Sequence, residues 1–85
     1  MSRHDIERQI RDYLADNFLF GRSDMLQNDS ALLGNIIDST GTLELVGFLQ
    51  RNFKITVEDE DIVPENLDSI SRLVTYVEGK MPPAT

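Results

Sequence analysis

Three serines of this 85-residue chain directly follow an aspartate, in Asp29-Ser30, Asp38-Ser39 and Asp68-Ser69. A serine hydroxyl in the first turn of a helix can carry a phosphate ester, because the ester would lie near backbone amides without intrahelical partners and near the positive end of the helix dipole. The same position equally suits a residue that only caps the helix. Context separates the three pairs. Asp68-Ser69 opens the last helix and is accounted for by capping, whereas Asp29-Ser30 sits in a long connection with no good helix after it. Only Asp38-Ser39 follows an apolar loop and begins a helix whose outer face is mostly small or polar.

Other chemistries find little support. His4 is the only histidine and lies near the N-terminus, so a serine-histidine pair would have no cleft to hold it. There is no cysteine, which excludes disulfides, a thiolate metal site and an internal thiol nucleophile. Glu58-Asp59-Glu60-Asp61 lacks the glycine and the spaced terminal glutamate of a calcium-binding EF-hand loop, so helix-start electrostatics and docking explain it better than a metal. No metal and no catalytic residue are expected.

A chain of this length forms one small domain, burying roughly 60 to 65% of its unfolded surface around a single modest core. Eight Lys and Arg against 15 Asp and Glu give a net charge of -7, which repels phosphate backbones and favours partners with basic surfaces, so nucleic acid is not an expected ligand. Residues 38 to 68 hold eight acids and two bases, or -6 of that total. Charge alone leaves open whether this region is a docking surface or a solvated face. No signal-peptide pattern and no membrane-length apolar run are seen, which points to a soluble cytoplasmic protein.

The elements that must position Ser39 follow from periodicity. Ile6, Ile10, Tyr13, Leu14 and Phe18 form one stripe, giving an amphipathic helix over 3 to 18, with Ser2 and Asp5 placed as a capping box. From Leu19 to Ile37 the period breaks at Gly21, Asn28, Asp29, Gly34 and Asn35, while Leu26, Leu32, Leu33, Ile36 and Ile37 imply a long connection that packs down. A second helix runs from Ser39 to about Asn52, capped by Asp38. At about 100° per residue, Leu45, Leu49, Phe53, Val46 and Leu43 fill its apolar arc, and Thr40, Glu44, Gly47 and Arg51 face the other way. Phe48 sits at the edge of the arc and is assigned to the core rather than to a partner contact; Met25 and Leu26 carry the same ambiguity.

Phe53, Ile55 and Val57 alternate like a strand, but with no partner strand they read as an extended connector, followed by a short acidic helical turn from Glu58 to Val63. Ile70, Leu73, Val74 and Val77 define a last helix capped by Asp68 or Ser69 and ended at Gly79. The expectation is an all-α bundle of three main helices and one short helix, with a long loop between the first two. It occupies a single domain over 1-79, with a tail over 80-85.

Gly34-Asn35-Ile36-Ile37-Asp38-Ser39-Thr40-Gly41-Thr42-Leu43-Glu44-Leu45-Val46 resembles the signature of acyl and peptidyl carrier proteins. Phe53-Lys54-Ile55-Thr56-Val57, the acidic turn and Pro64 to Ile70 continue that family's order of elements, so the resemblance covers roughly residues 3 to 79. It implies an acyl-carrier-protein-like fold with no enzymatic activity. It also implies that a phosphopantetheinyl transferase, using coenzyme A and magnesium, attaches 4'-phosphopantetheine to Ser39, with Asp38 helping to present the serine. The thiol of that arm would carry cargo as a thioester.

The partners so implied are that transferase, an acyl- or aminoacyl-activating ligase, and a downstream acyltransferase or synthase, met by Thr40, Glu44, Gly47, Glu58, Asp59 and Asp61 on a free-standing monomer. Thr40 stands where fatty-acid carriers usually have leucine, and Gly41 where they commonly have an acid. Asp-Ser-x-Gly-Thr-x-Glu-Leu looks instead like D-alanyl and specialised carriers. A specialised acyl or aminoacyl carrier is therefore preferred to a housekeeping fatty-acid carrier. An acidic interaction module that is never modified, and a degenerate carrier that has lost its arm, stay open.

Overall fold

The computed structural model describes residues 2–18, 27, 31–33 and 37–81. The breaks expected at Gly21, Asn28, Gly34 and Asn35, the packing of Met25, Leu26 and Ile36, the Asp29-Ser30 pair and most of the tail lie outside these residues.

Ser2 and Asp5 cap the first helix reciprocally: the Asp5 amide donates to Ser2 Oγ (3.2 Å) and the Ser2 amide to Asp5 Oδ2 (3.3 Å). The Ser2 amide, and after it the Ser2 hydroxyl, hold the Asp5 carboxyl below its ordinary range. Helix α1 then runs Arg3–Phe18 and buries Ile6, Ile10, Leu14 and Ala15, one stripe three to four residues apart. Helix α2, Ser39–Phe53, buries Gly41, Leu45, Val46, Leu49 and Phe53.

Leu43, placed in the apolar arc by its helical angle, is instead 68% exposed. It stands about 160° around the helix from Leu45, beyond the width that the rest of the bundle can cover. Phe48 is half-buried against the core, its ring stacked on that of Tyr13 with centroids 4.0 Å apart.

Helix α2 stops at Lys54, which takes the left-handed conformation (φ 55°, ψ 46°) more usual for glycine. Ile55 and Val57 then point into the core while Lys54, Thr56 and Glu58 face solvent. The segment pairs with no strand among the described residues. The Val57 amide ties it to α2 by donating to Gln50 Oε1 (3.0 Å). It is thus the extended connector that the sequence suggests.

The acidic stretch forms a 3₁₀ turn over Asp59–Asp61, shorter than the Glu58 to Val63 span expected. A further one-turn helix, α3 (Pro64–Leu67), follows at once, with the proline at its start where a missing amide is harmless. Helix α4, Ile70–Lys80, is capped by Ser69, whose Oγ accepts from the Arg72 amide (3.1 Å). It does not end at Gly79: the backbone stays helical to Lys80, whose ammonium reaches Asp61 (3.3 Å).

Helix α4 packs on α1 and α3, and Leu32, Ile37, Leu45, Leu49, Leu67, Ile70, Leu73, Val74 and Val77 complete a core with α1's stripe. The result is the all-helical bundle that the periodicity predicts. No helix of the described residues is long and apolar enough to cross a membrane.

Candidate functional site

The backbone before Ser39 is tied down from two sides. Upstream, the Ile37 amide donates to the Leu32 carbonyl (2.9 Å), and both side chains are buried. Downstream, Asp38 adopts extended dihedrals and its Oδ1 accepts from the Gly41 amide (2.7 Å), which makes it the N-cap of α2. The Asp38 carbonyl accepts twice more, from the Thr42 amide and from Thr42 Oγ1, both at 2.9 Å.

Ser39 is therefore the first helical residue, on a backbone fixed by its neighbours. It is exposed, and its hydroxyl has no protein partner among the described residues. The capping is done by Asp38, which leaves the Ser39 oxygen outside the cap.

Gly41, two residues on, explains one departure from the usual pattern. A Cβ there would lie 2.8 Å from Phe18 Cε1, 3.1 Å from Ile37 Cγ2 and 3.2 Å from Asp38 Oδ1. The missing side chain lets the last residue of α1 pack directly beneath the start of α2. An acid at this position would collide with Phe18.

The outer surface beside Ser39 is made by Thr40, Leu43, Glu44 and Gly47. Thr40 and Glu44 are exposed and Gly47 half-buried, as their helical angles require. Leu43, Glu44, Gly47 and Arg51 line one side of a shallow groove whose other side is Tyr13 and Asn17 of α1. Gly47 keeps the groove open, and the Arg51 guanidinium folds back over it, 3.0 Å from where a Cβ would stand. Burial raises the Tyr13 phenol above its ordinary pKa, and the Glu44 carboxylate adds to the shift. Leu43 is the residue of this surface that sequence reasoning assigned to the core.

The acidic turn is a separate feature, reached through the connector that runs past Gln50 in the C-terminal half of α2. Its members are not equivalent. Glu58, Asp59 and Glu60 are exposed, whereas the Asp61 carboxylate accepts from Tyr76 Oη (2.8 Å) and pairs with Lys80. The tyrosine bond is the main reason that the Asp61 pKa falls below its ordinary value, and Lys80 adds to it. Burial and then the Asp61 carboxylate push the Tyr76 phenol well above the normal tyrosine range. Asp61 thus fastens the turn to α4, with the other three acids facing outward. No cluster of metal-ligating side chains occurs among the described residues.

Asp68 has a part that capping does not describe. With Ser69 capping α4, the Asp68 carboxylate turns to the upstream loop, where Oδ1 accepts from the Leu33 amide (2.9 Å) and the Leu32 amide (3.2 Å). Its backbone carbonyl also accepts from Leu32 (2.8 Å). An Asp-Ser pair at a helix start reads as a cap in sequence, and only the fold shows that the two residues divide the work.

No family model matches the chain. It is 30% identical over 74 residues to a protein of Serratia sp. (strain ATCC 39006) named "Probable acyl carrier protein PigG", an alignment covering 86% of this chain and 85% of that protein. It is 35% identical over 79 residues to a protein of Akkermansia muciniphila named "Acyl carrier protein", covering 92% of this chain and 95% of that one. With likeness over nearly the full length of both relatives and a helical bundle that presents a capped, exposed serine, the chain belongs to the acyl carrier protein family, and is a carrier rather than an enzyme.

Proposed function

We propose that this chain is a free-standing, monomeric acyl or aminoacyl carrier that holds its cargo on a 4'-phosphopantetheine arm at Ser39 and works in the cytoplasm. The observation that carries the reading is the division of labour at the start of α2. Asp38 satisfies the Gly41 amide, and the adjacent Ser39 hydroxyl is left exposed and without a partner among the described residues. A serine kept only as a cap would have its oxygen on a backbone amide, as Ser69 has.

The residues present fit the arm. Attack of Ser39 Oγ on the pantetheine-side phosphorus of coenzyme A forms the new O–P bond, breaks the pyrophosphate bond and releases adenosine 3',5'-bisphosphate, the hydroxyl proton passing to the transferase or to water. The phosphodiester so made would sit beside the first amides of α2 and its positive dipole end. Its terminal thiol supplies the thioester chemistry that a chain without cysteine cannot.

Thr40, Glu44 and Gly47, together with the exposed Leu43, form the surface that a partner would meet around the serine. Glu58 and Asp59 would draw basic partners, raising encounter rates more than affinity. Asp61 serves that surface by holding the turn against α4. The partners are a phosphopantetheinyl transferase, an acyl- or aminoacyl-activating ligase and a downstream acyltransferase or synthase. Gly41, which seats Phe18, and Thr40 favour a specialised pathway over housekeeping fatty-acid synthesis. Residues 1-79 act as a single carrier domain, to which Lys80 at the end of α4 and the core-packed Met81 also belong.

The test is cargo loading. Protein modified with the arm is offered activated fatty acids and amino acids by adenylating ligases, and the mass and hydroxylamine lability of the product are recorded. The reading expects a labile thioester on modified protein and none on Ser39→Ala. Loading that ignores Ser39→Ala contradicts it.

A further inference from the structure

The segment that leads to Ser39 is held in part by the carboxylate and the backbone carbonyl of Asp68. Asp68 lies 29 residues after Ser39, between α3 and α4, yet its Oδ1 takes both the Leu32 and Leu33 amides and its carbonyl takes Leu32 again. From Leu32 the connection continues without a gap. The Leu32 carbonyl accepts from Ile37, the Ile37 side chain closes the cradle around Gly41, and Ile37 is bonded to Asp38, the cap on which Ser39 stands. Leu32 and Ile37 are 0% and 1% exposed, so this ladder is packed as well as hydrogen-bonded.

We infer that Asp68 is a positioning residue for the modification of Ser39, an inference that rests on the carrier reading above. It works through the Leu32 to Ile37 ladder, holding Asp38 and Ser39 where the hydroxyl can meet the phosphorus of coenzyme A in line. Asp68 touches neither the reacting oxygen nor the α2 surface. Its loss should therefore slow the chemical step without weakening the docking of the transferase. What matters is an acceptor at the Oδ1 position. Asparagine can supply that acceptor, alanine cannot, and glutamate places its oxygens one methylene too far out.

The experiment measures kcat and KM for the carrier in the transferase reaction with coenzyme A and magnesium, using wild type, Asp68→Ala, Asp68→Asn and Asp68→Glu. Amide exchange at Leu32 and Leu33 is followed in each. Loss of an acceptor shared by two partly buried amides predicts a kcat about tenfold lower for Asp68→Ala, with KM within about twofold of wild type. Exchange at Leu33, whose amide loses its acceptor, should be faster, exchange at Leu32, which keeps the Asp68 carbonyl (2.8 Å), should change less, and helix content should be unchanged. Asp68→Asn should stay within about threefold of wild type, and Asp68→Glu should fall between the two.

Wild-type kcat in folded Asp68→Ala overturns the inference, as does an Asp68→Asn protein as slow as the alanine variant. Should the alanine chain not fold, Asp68→Glu decides in the same way, wild-type kcat overturning the inference and a reduced kcat at unchanged KM upholding it. Wild type that is never modified overturns the carrier reading and this inference with it.

Discussion

Gly41→Ala is expected to destabilise the protein, against the usual sign for glycine to alanine in a helix. Alanine is favoured over glycine in a helix interior by about 1 kcal/mol, and at the third residue of α2 by less. Against this gain stands a methyl group 2.8 Å from Phe18 Cε1 and 3.1 Å from Ile37 Cγ2, where carbon atoms prefer roughly 3.5 to 4.0 Å. Relieving such overlap in a packed site costs about 1–3 kcal/mol. The net loss is about 1 kcal/mol, or roughly 4–8 °C in melting temperature for a domain of this size. Gly79→Ala supplies the control, because nothing lies within 4 Å of its added Cβ and the residue is helical. It should gain about 0.5 kcal/mol. Urea and thermal melts of both variants measure the difference in sign. Gly41→Ala as stabilising as Gly79→Ala would refute the close approach of Phe18 to α2.

Asp38→Ala removes the N-cap of α2 and should lower stability by about 1 kcal/mol in urea melts. Lys54→Gly relieves a left-handed residue at the end of the same helix and should raise it by about 0.5–1 kcal/mol. Leu32→Ala, at a fully buried site, should lose about 2–5 kcal/mol, whereas Leu43→Ala should lose under about 0.5 kcal/mol and instead raise KM in carrier-partner assays. The Asp61 carboxyl is depressed in the fold, so the stability it contributes is present above its unfolded pKa of about 4 and is lost below that, as pH falls through the depressed folded value. The Tyr76 phenol is raised, so its contribution is present below about pH 10 and is lost at higher pH. Tyr76→Phe should flatten both limbs of the urea midpoint plotted against pH, and an unchanged profile would contradict the pairing.

The helices, and the place of Ser39 at the start of one, were legible because their signals are local. A stripe of Ile6, Ile10 and Leu14, or an aspartate one residue ahead of a helical run, states its own environment within a turn or two. What was missed depends on residues distant in the chain. Leu43 looked like core because the helical angle gives its side but not how far the neighbouring helices reach. Gly79 looked like a helix stop because its sequence neighbours do not reveal that Lys80 finds Asp61. Asp61 looked like a docking acid, yet its partner Tyr76 is fifteen residues on. Asp68 looked like a cap for the same reason, its loop amides lying 35 and 36 residues earlier. Gly41 read as a departure from a family pattern, and its reason is the ring of Phe18, a contact between two helices. One-turn α3 could have been read from Pro64 at a helix start, although four residues give too little periodicity to weigh.

The central claim is that Ser39 carries the arm, and intact-protein mass spectrometry tests it most directly. Wild type and Ser39→Ala are incubated with coenzyme A, magnesium and a broad-specificity phosphopantetheinyl transferase, and the modified peptide is then mapped. The account predicts one phosphopantetheine-sized gain on wild type, located at Ser39, and none on Ser39→Ala. A correctly folded wild type that gains nothing, or a gain mapped to Ser30 or Ser69, would contradict it.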